Sequence, residues 1–563
     1  MPTIDIDYEE FERILGVSFH KDVEKIDDVL AFVKGEVKLF DEKEGLMSVE
    51  IKDTNRPDTW NIEGLVRALR GFLGKKEGLI EYALGKQAGE VSVDGRLDQI
   101  RPFIGCALVH DLRLSDKVIR GLMHLQDKLD QTYGRNRQKT SIGLYNLDLI
   151  KLPLRYGVAE PDEVSFVPLG FTEKMTLKEM LNRHPKGQEY GPIVSRHSLY
   201  PILLDADGKP LSFPPIINSN DLGRITEATR NVLVEVTGTR HDTVLNVLNI
   251  VTLSLIDRGG KAYAMKIHYP HRKTDVVTPD FHTRTMELNV EYANGILGLK
   301  LSAKEIAGLL PKAGYGVDET KMDRVSLRVP CWRVDVMHAV DVVEDVAIAY
   351  DYNRIEPLWP EMPTTGAQRP EQHYLDTIRE LMIGLGFQEV LTPTLTSPDN
   401  LFTKMNAPRQ PMIEIANPKI TTLTCLRNWL LPGLLEFVTH NLHVECPQRI
   451  FELGKITLPD PNSETGTRDE EKLAAIIYHA NASFTEAKQT LDALLTNLDT
   501  RWQIREAKHP SFIEGRAGVV IVDEGEAGFM GEINPEVLEA WGLENPIAAI
   551  EIGTANARDS TKG

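Results

Sequence analysis

Apolar residues recur at helical spacing in some stretches of the chain and at alternate positions in others. Ile62, Leu65, Val66, Leu69, Phe72 and Leu73 predict an amphipathic helix, preceded by a strand at LMSVEIK and a polar loop, DTNRPD. Arg56 in that loop suits either an anion contact or a capped turn. Farther on, SLYPILLDADGKPLSFPPIIN reads as a hairpin, with an Asp-Ala-Asp-Gly turn between two apolar strands and Pro214 and Pro215 ending regular pairing. VLVEVTGT predicts a strand running into a glycine turn, and residues 241–257 a buried helix. Arg135, Arg137 and Lys139 alternate in YGRNRQKT, which suits one face of an extended segment, either solvated or in contact with phosphate.

After a polar turn, TPDFHTR, Ser302 and Glu305 form an S-x-x-E capping box ahead of the helix KEIAGLL, and a strand, RVSLRVP, follows. Beyond the proline-rich EPLWPEMPTTGAQRP, the helix YLDTIRELMIGLG gives way to a strand, FQEVLTPTL. RIFELGKI and FIEGRAGVVIV add strands, and LRNWLLPGLLEFVTHNL adds an amphipathic helix. This last region predicts a mostly antiparallel sheet with helices on one side. The chain thus reads as an α+β multidomain protein in four regions, 1–90, 91–272, 273–360 and 361–563.

The run RVDVMHAVDVVEDVAIAYDYNRI (333–355) stands apart. Val340, Val343, Ala347 and Tyr350 mark an apolar helical stripe, while Asp341, Glu344 and Asp345 share another face, with Asp335 just before them. Like charges at that spacing repel by a few tenths of a kcal/mol per pair, roughly. Water, Arg333 or Arg354, a metal ion, or another chain would each offset that repulsion.

Composition narrows the function classes. The acidic N-terminus predicts no signal peptide, and no apolar run reaches the roughly 18 residues needed to span a membrane. Cys106, Cys331, Cys425 and Cys446 are widely spaced with no CxxC pair, which predicts neither structural zinc nor a disulfide framework and points to a reducing cytoplasm. A net charge of -19 argues against a nucleic-acid binder, yet residues 91–272 hold 24 Lys+Arg against 20 Asp+Glu. The acidic surplus therefore lies outside the middle region, which can accept a polyanion.

Several motifs occur in one order: TNRPDTWNIEGLVRALRG, SFPPIINSNDLGRIT, VEVTGT, VPCWRVDVMHAVDVVEDVAIAYDYNRI, GFQEVLTPTL, LRNWLLPGLL, RIFELGKI and HPSFIEGRAG. GFQEVLTPTL resembles motif 1 of class II aminoacyl-tRNA synthetases, a helix-and-strand element that builds subunit interfaces. Together the motifs resemble the phenylalanyl-tRNA synthetase beta-subunit family in its shorter archaeal and eukaryotic form, over nearly the whole chain.

The resemblance implies an editing domain at 91–272, a small winged-helix-like α+β module at 273–360, and a class II synthetase-like antiparallel sheet domain at 361–563 without catalytic motifs. RIFELGKI carries Glu452 but no fRxE arginine, and FIEGRAGVV carries Arg516 outside a motif 3 context. No residue of this chain is then catalytic for aminoacylation. The implied partners are an alpha subunit that holds ATP and phenylalanine, in an (αβ)2 heterotetramer, and tRNA(Phe). The implied editing pocket is Leu203, Ser212, Glu235 and Gly238, with Glu235 accepting a tyrosine hydroxyl in mischarged tyrosyl-tRNA(Phe). On spacing alone, Ser212 reads as a turn hydroxyl and Glu235 as an exposed strand residue. No Ser–His–Asp or Cys–His grouping supplies a nucleophile, so hydrolysis relies on a positioned water. The resemblance also implies a magnesium ion at Asp335, Asp341, Glu344 and Asp345, near the boundary with alpha. A stand-alone deacylase and a non-catalytic RNA-binding scaffold are the competing classes.

Overall fold

The computed structural model describes residues 2–270, 275–360 and 365–554. The chain divides into two compact units, Met1–Trp359 and Pro360–Gly563. The expected boundary at 272/273 lies outside the described residues, and that at 360/361 falls on their edge.

The first unit holds a three-stranded sheet in the order Thr3–Asp7, Leu46–Ile51, Gly35–Asp41. The helix Ile62–Phe72 packs Leu65, Val66 and Leu69 into its core, as its spacing predicts. Asn61 caps this helix by accepting from the Gly64 amide.

A ten-stranded sheet follows. Its order is Ile217–Asn218, Pro210–Phe213, Tyr200–Leu204, Leu154–Ala159, Gly85–Val93, Lys261–His268, Phe103–His110, Val232–Gly238 and Thr140–Asn146, with Val276–Thr278 paired on Lys261–His268. Every residue of Val232–Gly238 is buried. Val232, Val234 and Val236 face the helix His241–Asp257, where Val244, Val247, Leu248 and Val251 complete the same core. Alternation puts Leu233, Glu235 and Thr237 on the opposite face.

The predicted hairpin forms with Leu203 opposite Ser212 and a register shift between Leu203 and Leu204. Regular pairing of its second strand stops at Phe213, ahead of Pro214 and Pro215. They turn the chain so that Ile217–Asn218 pairs back on Ser212 and Phe213. The sheet curls until its two ends meet: the Asn146 amide, on the last strand, donates to the Leu222 carbonyl just beyond the first (3.1 Å).

A second three-stranded sheet, Arg284–Asn289, Arg324–Val329 and Gly316–Thr320, packs against the helices Val290–Leu297, Ala303–Leu309 and Ala339–Tyr350. The Ser302–Glu305 capping box is formed as predicted. In the acidic helix, however, Val340 is 43% exposed, and the core side is made by Val342, Val343, Val346 and Ala347. Asp341, Glu344 and Asp345 share a helix face by spacing, but Asp345 lies at its buried edge while Glu344 is exposed.

The second unit is a seven-stranded sheet in the order Gln388–Glu389, Gln448–Pro459, Thr467–Tyr478, Ile547–Gly553, Gly525–Ile533, Phe512–Val522, Trp502–Glu506. It is antiparallel except at the first pair. Along Thr467–Tyr478, Leu473, Ala475 and Ile477 join one core, while Ala474, Ile476 and Tyr478 join another. Helices Pro370–Gly384 and Phe484–Asn497 cover the first face, and Leu431–His440 and Pro535–Trp541 the second. Both faces are therefore covered, rather than one. FQEVLTPTL is not one strand either: it is broken into Gln388–Glu389 and the start of Leu395–Thr396, with Pro393 between them.

Candidate functional site

A cavity of about 170 Å³ opens where the ends of the ten-stranded sheet meet. The turn Ser212–Asn218 forms one wall, Met123, Gln126 and Asp127 from the helix Asp116–Gln131 another, and Glu235 with Ser141 and Ile142 the sheet side. A cavity of about 150 Å³ admits a benzene-sized guest, so this one suits a single aromatic side chain.

The polar groups here are buried. Glu235 and Ser212 are each 2% exposed. Tyr145 donates to Glu235 Oε2 (2.8 Å), and more weakly to Asn218 Oδ1 across the meeting point of the sheet ends (3.3 Å). By strict hydrogen-bond geometry Glu235 Oε1 and Ser212 Oγ lack a partner, although Thr237 lies close enough to favour the Glu235 carboxylate and Ser212 close enough to act on the Tyr145 hydroxyl. Buried polar atoms without partners cost about 1–3 kcal/mol each and call for an explanation. Burial pushes the Glu235 carboxyl up to about 7, against the opposing pull of the Tyr145 hydroxyl and the Arg101 charge.

Below the cavity, Arg101 is fully buried. Its guanidinium donates to Thr237 Oγ1 and the Thr237 carbonyl, the Arg137 carbonyl and Ser141 Oγ. The segment carrying Arg137 is not extended. Arg135, Asn136 and Arg137 all adopt positive φ (49°, 50° and 62°), which turns Arg137 inward while Arg135 stays exposed. Arg137 Nη1 donates to the Pro215 and Ile216 carbonyls, its Nε lies 2.9 Å from Asp130 Oδ2, and its guanidinium stacks 4.5 Å from the centre of the Tyr190 ring. Arg137 is thus an internal brace for the cavity wall. Burial raises the Asp130 carboxyl to about 7 despite this partner.

Of the four expected pocket residues, the structure brings Ser212 and Glu235 to the cavity. Leu203 lies in the adjoining core with Leu211, Leu233 and Tyr145. Gly238 sits one turn away, where a Cβ would lie 2.3 Å from the Lys139 carbonyl, so the close backbone approach it permits is to its own chain. Tyr145, Asn218 and Arg137 were not singled out for this pocket from sequence. The signal available was TSIGLYN, where Ser141, Gly143 and Tyr145 alternate onto the face that carries Glu235.

The acidic run is built differently. A single nitrogen of Arg333, Nη2, bridges Asp335 Oδ2 (2.7 Å) and Asp345 Oδ2 (2.6 Å). Arg56 pairs bidentately with Asp58 and lies 3.7 Å from Asp335, and the Tyr315 hydroxyl donates to Asp345. Burial works against charge on Asp335, but Arg333 and Arg56 outweigh it and hold the carboxyl below the usual aspartate range. Asp341 accepts from the Met337 and His338 amides as a helix cap, and Glu344 pairs with Lys34. Arg354 lies over the Tyr350 ring instead. The four carboxylates do not converge, and among the described residues no group of three or more His, Cys, Asp or Glu side chains is gathered to hold a metal ion. As a set of four they do not fit one hard cation in this chain, because the Arg333 guanidinium already stands between two of them.

In the second unit, Glu452 is buried and bound by Arg427 (2.6 Å) and the Thr392 hydroxyl (2.6 Å), and Arg516 pairs with Glu532. The Glu452 pair is buried, whereas Arg516 reaches Glu532 from an exposed position.

Residues 355–554 match the family model for the phenylalanyl tRNA synthetase beta chain CLM domain, and residues 286–352 match that for the tRNA synthetase B5 domain. The chain is 42% identical to the phenylalanine–tRNA ligase beta subunits of Pyrococcus furiosus and Pyrococcus horikoshii, over 98% of this chain and 99% of each relative. A crystal structure of an N-terminal fragment of the P. horikoshii phenylalanyl-tRNA synthetase beta subunit superposes with a TM-score of 0.60 at 39% identity, covering 62% of this chain and all of the fragment. Identity at this level along almost the full length of both chains shows that this chain belongs to the phenylalanine–tRNA ligase beta-subunit family.

Proposed function

We propose that the chain works in an (αβ)2 complex whose alpha subunit attaches phenylalanine to tRNA(Phe) at the expense of ATP, and that its middle region hydrolyses tyrosyl-tRNA(Phe). The observation that carries the second part is the pair of buried polar side chains, Glu235 and Ser212, that line an aromatic-sized cavity and each keep one atom without a partner by hydrogen-bond geometry. Phenylalanine and tyrosine differ by one hydroxyl, and a hydrophobic pocket rejects such an isostere by only about a hundredfold. A second pocket that needs the hydroxyl separates the two far better, since a phenylalanine ring would leave both atoms unpaired. The ester between the tyrosyl carboxyl and the terminal ribose is cleaved by water, releasing tyrosine and tRNA(Phe). No protein nucleophile is needed: the cavity positions the aminoacyl ester for attack.

Residues 361–563 serve as a class II-like scaffold for the alpha subunit. Arg427 holds Glu452 in a buried pair and Glu532 pairs with the exposed Arg516, which agrees with a sheet domain without an aminoacylation site of its own. Magnesium belongs to this reading only at the exposed end of the acidic helix. Magnesium takes one or two carboxylates and keeps several waters, so Asp341 and Glu344 are the candidate ligands at a contact with alpha, while Asp335 and Asp345 stay with Arg333.

The test is hydrolysis of tyrosyl-tRNA(Phe) by the alpha/beta complex carrying Glu235→Ala. Loss of a hydrogen bond to a charged group corresponds to a roughly ten- to hundredfold slower reaction, with phenylalanylation retained. Unchanged hydrolysis removes Glu235 from the pocket's chemistry.

A further inference from the structure

We infer that Tyr145 is a positioning residue for the editing site: by holding one oxygen of the Glu235 carboxylate, it leaves the other to read the substrate hydroxyl. The inference rests on the proposed tyrosine-editing reading and adds the residue that sets its selectivity.

Tyr145 is fully buried and packs with Cys106, Leu211 and Leu233, so its ring has a fixed place. Its hydroxyl carries one proton, and the shorter contact, 2.8 Å to Glu235 Oε2, takes it in preference to Asn218 at 3.3 Å. The strand pairing prepares the space for this bond. Gly143 is the residue directly opposite Glu235, and a Cβ there would lie 2.3 Å from the Tyr145 hydroxyl and 2.5 Å from Glu235 Oε2. With Oε2 occupied, Glu235 has one oxygen left without a partner, on a side chain that lines the cavity. A bound tyrosine would repeat at Oε1 the phenol–carboxylate bond that Tyr145 makes at Oε2. Removing the Tyr145 hydroxyl frees Oε2 to compete for the ligand and lets the carboxylate rotate, which weakens the reading of the hydroxyl without touching the ester.

The same bond favours the ionised carboxylate, so its loss also shifts the pH dependence. The other groups that act on Glu235 are Arg101, Thr237, Asp130, Cys106 and Tyr156, and Arg137, Asp127 and Lys186 line the cavity. All of them are common to the wild type and a Tyr145→Phe variant, so the difference between the two profiles isolates the Tyr145 hydroxyl.

The experiment is steady-state hydrolysis of tyrosyl-tRNA(Phe) by the full alpha/beta complex in four forms: wild type, Tyr145→Phe, Glu235→Gln and the double variant. Tyr145→Phe is expected to raise KM about tenfold, to change kcat less, and to move the acidic limb of kcat/KM to higher pH. In the Glu235→Gln background the pH shift disappears and the KM effect shrinks, as a coupled pair requires. Gly143→Ala, which presses on the same pair from the opposite strand, gives the same KM effect by a second route, and phenylalanylation by each complex reports assembly. An equal loss from Tyr145→Phe in both backgrounds, or no shift of the acidic limb, overturns the positioning role while Glu235→Gln still impairs editing. Unimpaired editing in Glu235→Gln overturns the editing reading itself, and this inference with it.

Discussion

The Tyr145 hydroxyl and the Glu235 carboxylate meet at 2.8 Å across neighbouring antiparallel strands, and the second Glu235 oxygen has no partner of good hydrogen-bond geometry. A carboxylate so placed is half satisfied. Its second oxygen can accept from the hydroxyl of a tyrosine ring but gains nothing from a phenylalanine ring, which is the physical basis of a selective second sieve.

The buried carboxylate makes stability depend on pH. Glu235 titrates at about 7 in the fold against 4.5 in an ordinary setting, so the folded chain binds the proton more tightly than the unfolded chain. The contribution is fully present below about pH 4.5 and is lost as pH rises through about 7. Glu235→Gln should therefore match the wild type in free energy of unfolding near pH 4.5 and exceed it above pH 7.5, by an amount on the order of 1–3 kcal/mol. A variant advantage that grows toward acid would contradict the raised value.

Gly143→Ala places a methyl group against both Tyr145 and Glu235. Overpacking of this kind costs typically about 1–3 kcal/mol. Denaturant unfolding of the first unit should show that loss, and a neutral substitution would mean that the two side chains move apart freely.

Arg333→Met removes the cation shared by Asp335 and Asp345 while keeping much of the side-chain volume. Breaking a buried pair by deleting one partner costs about 3–5 kcal/mol. Asp335, whose carboxyl is held low in the fold, contributes stability above the usual aspartate value that is lost only as pH falls through its folded one. The Arg333→Met penalty should accordingly shrink in acid. A penalty under about 1 kcal/mol would show that Arg56 and Tyr315 alone hold the two carboxylates.

Magnesium calorimetry on the assembled complex separates the two halves of the acidic run. Binding that is abolished by Asp341→Ala, with Arg333→Lys still able to bind, fits an exposed Asp341–Glu344 site. Heat that persists in Asp341→Ala excludes it.

Much of this architecture was legible in the residues. The Tyr200–Phe213 hairpin, the Ile62–Phe72 helix and the Ser302–Glu305 cap followed from spacing and turn chemistry, because those signals are local. What the spacing missed depends on distant partners. Asp345 reads as a surface carboxylate by helical phase, yet Arg333 and Tyr315 draw it into the core. Arg137 reads as part of a solvated basic face, yet three consecutive residues of positive φ deliver it to the Pro215 and Ile216 carbonyls. Glu235 and Ser212 were named through family resemblance. That they share a cavity follows from the curl of a ten-stranded sheet, which brings the Ser212 and Glu235 strands together from widely separated places in its order.

The central claim is that this cavity separates tyrosine from phenylalanine by its hydroxyl. The most direct measurement is single-turnover deacylation of tyrosyl-tRNA(Phe) and phenylalanyl-tRNA(Phe) by the alpha/beta complex, side by side. Tyrosine release should be at least about a hundredfold faster than phenylalanine release. Equal rates for the two, or no hydrolysis of either, would contradict it.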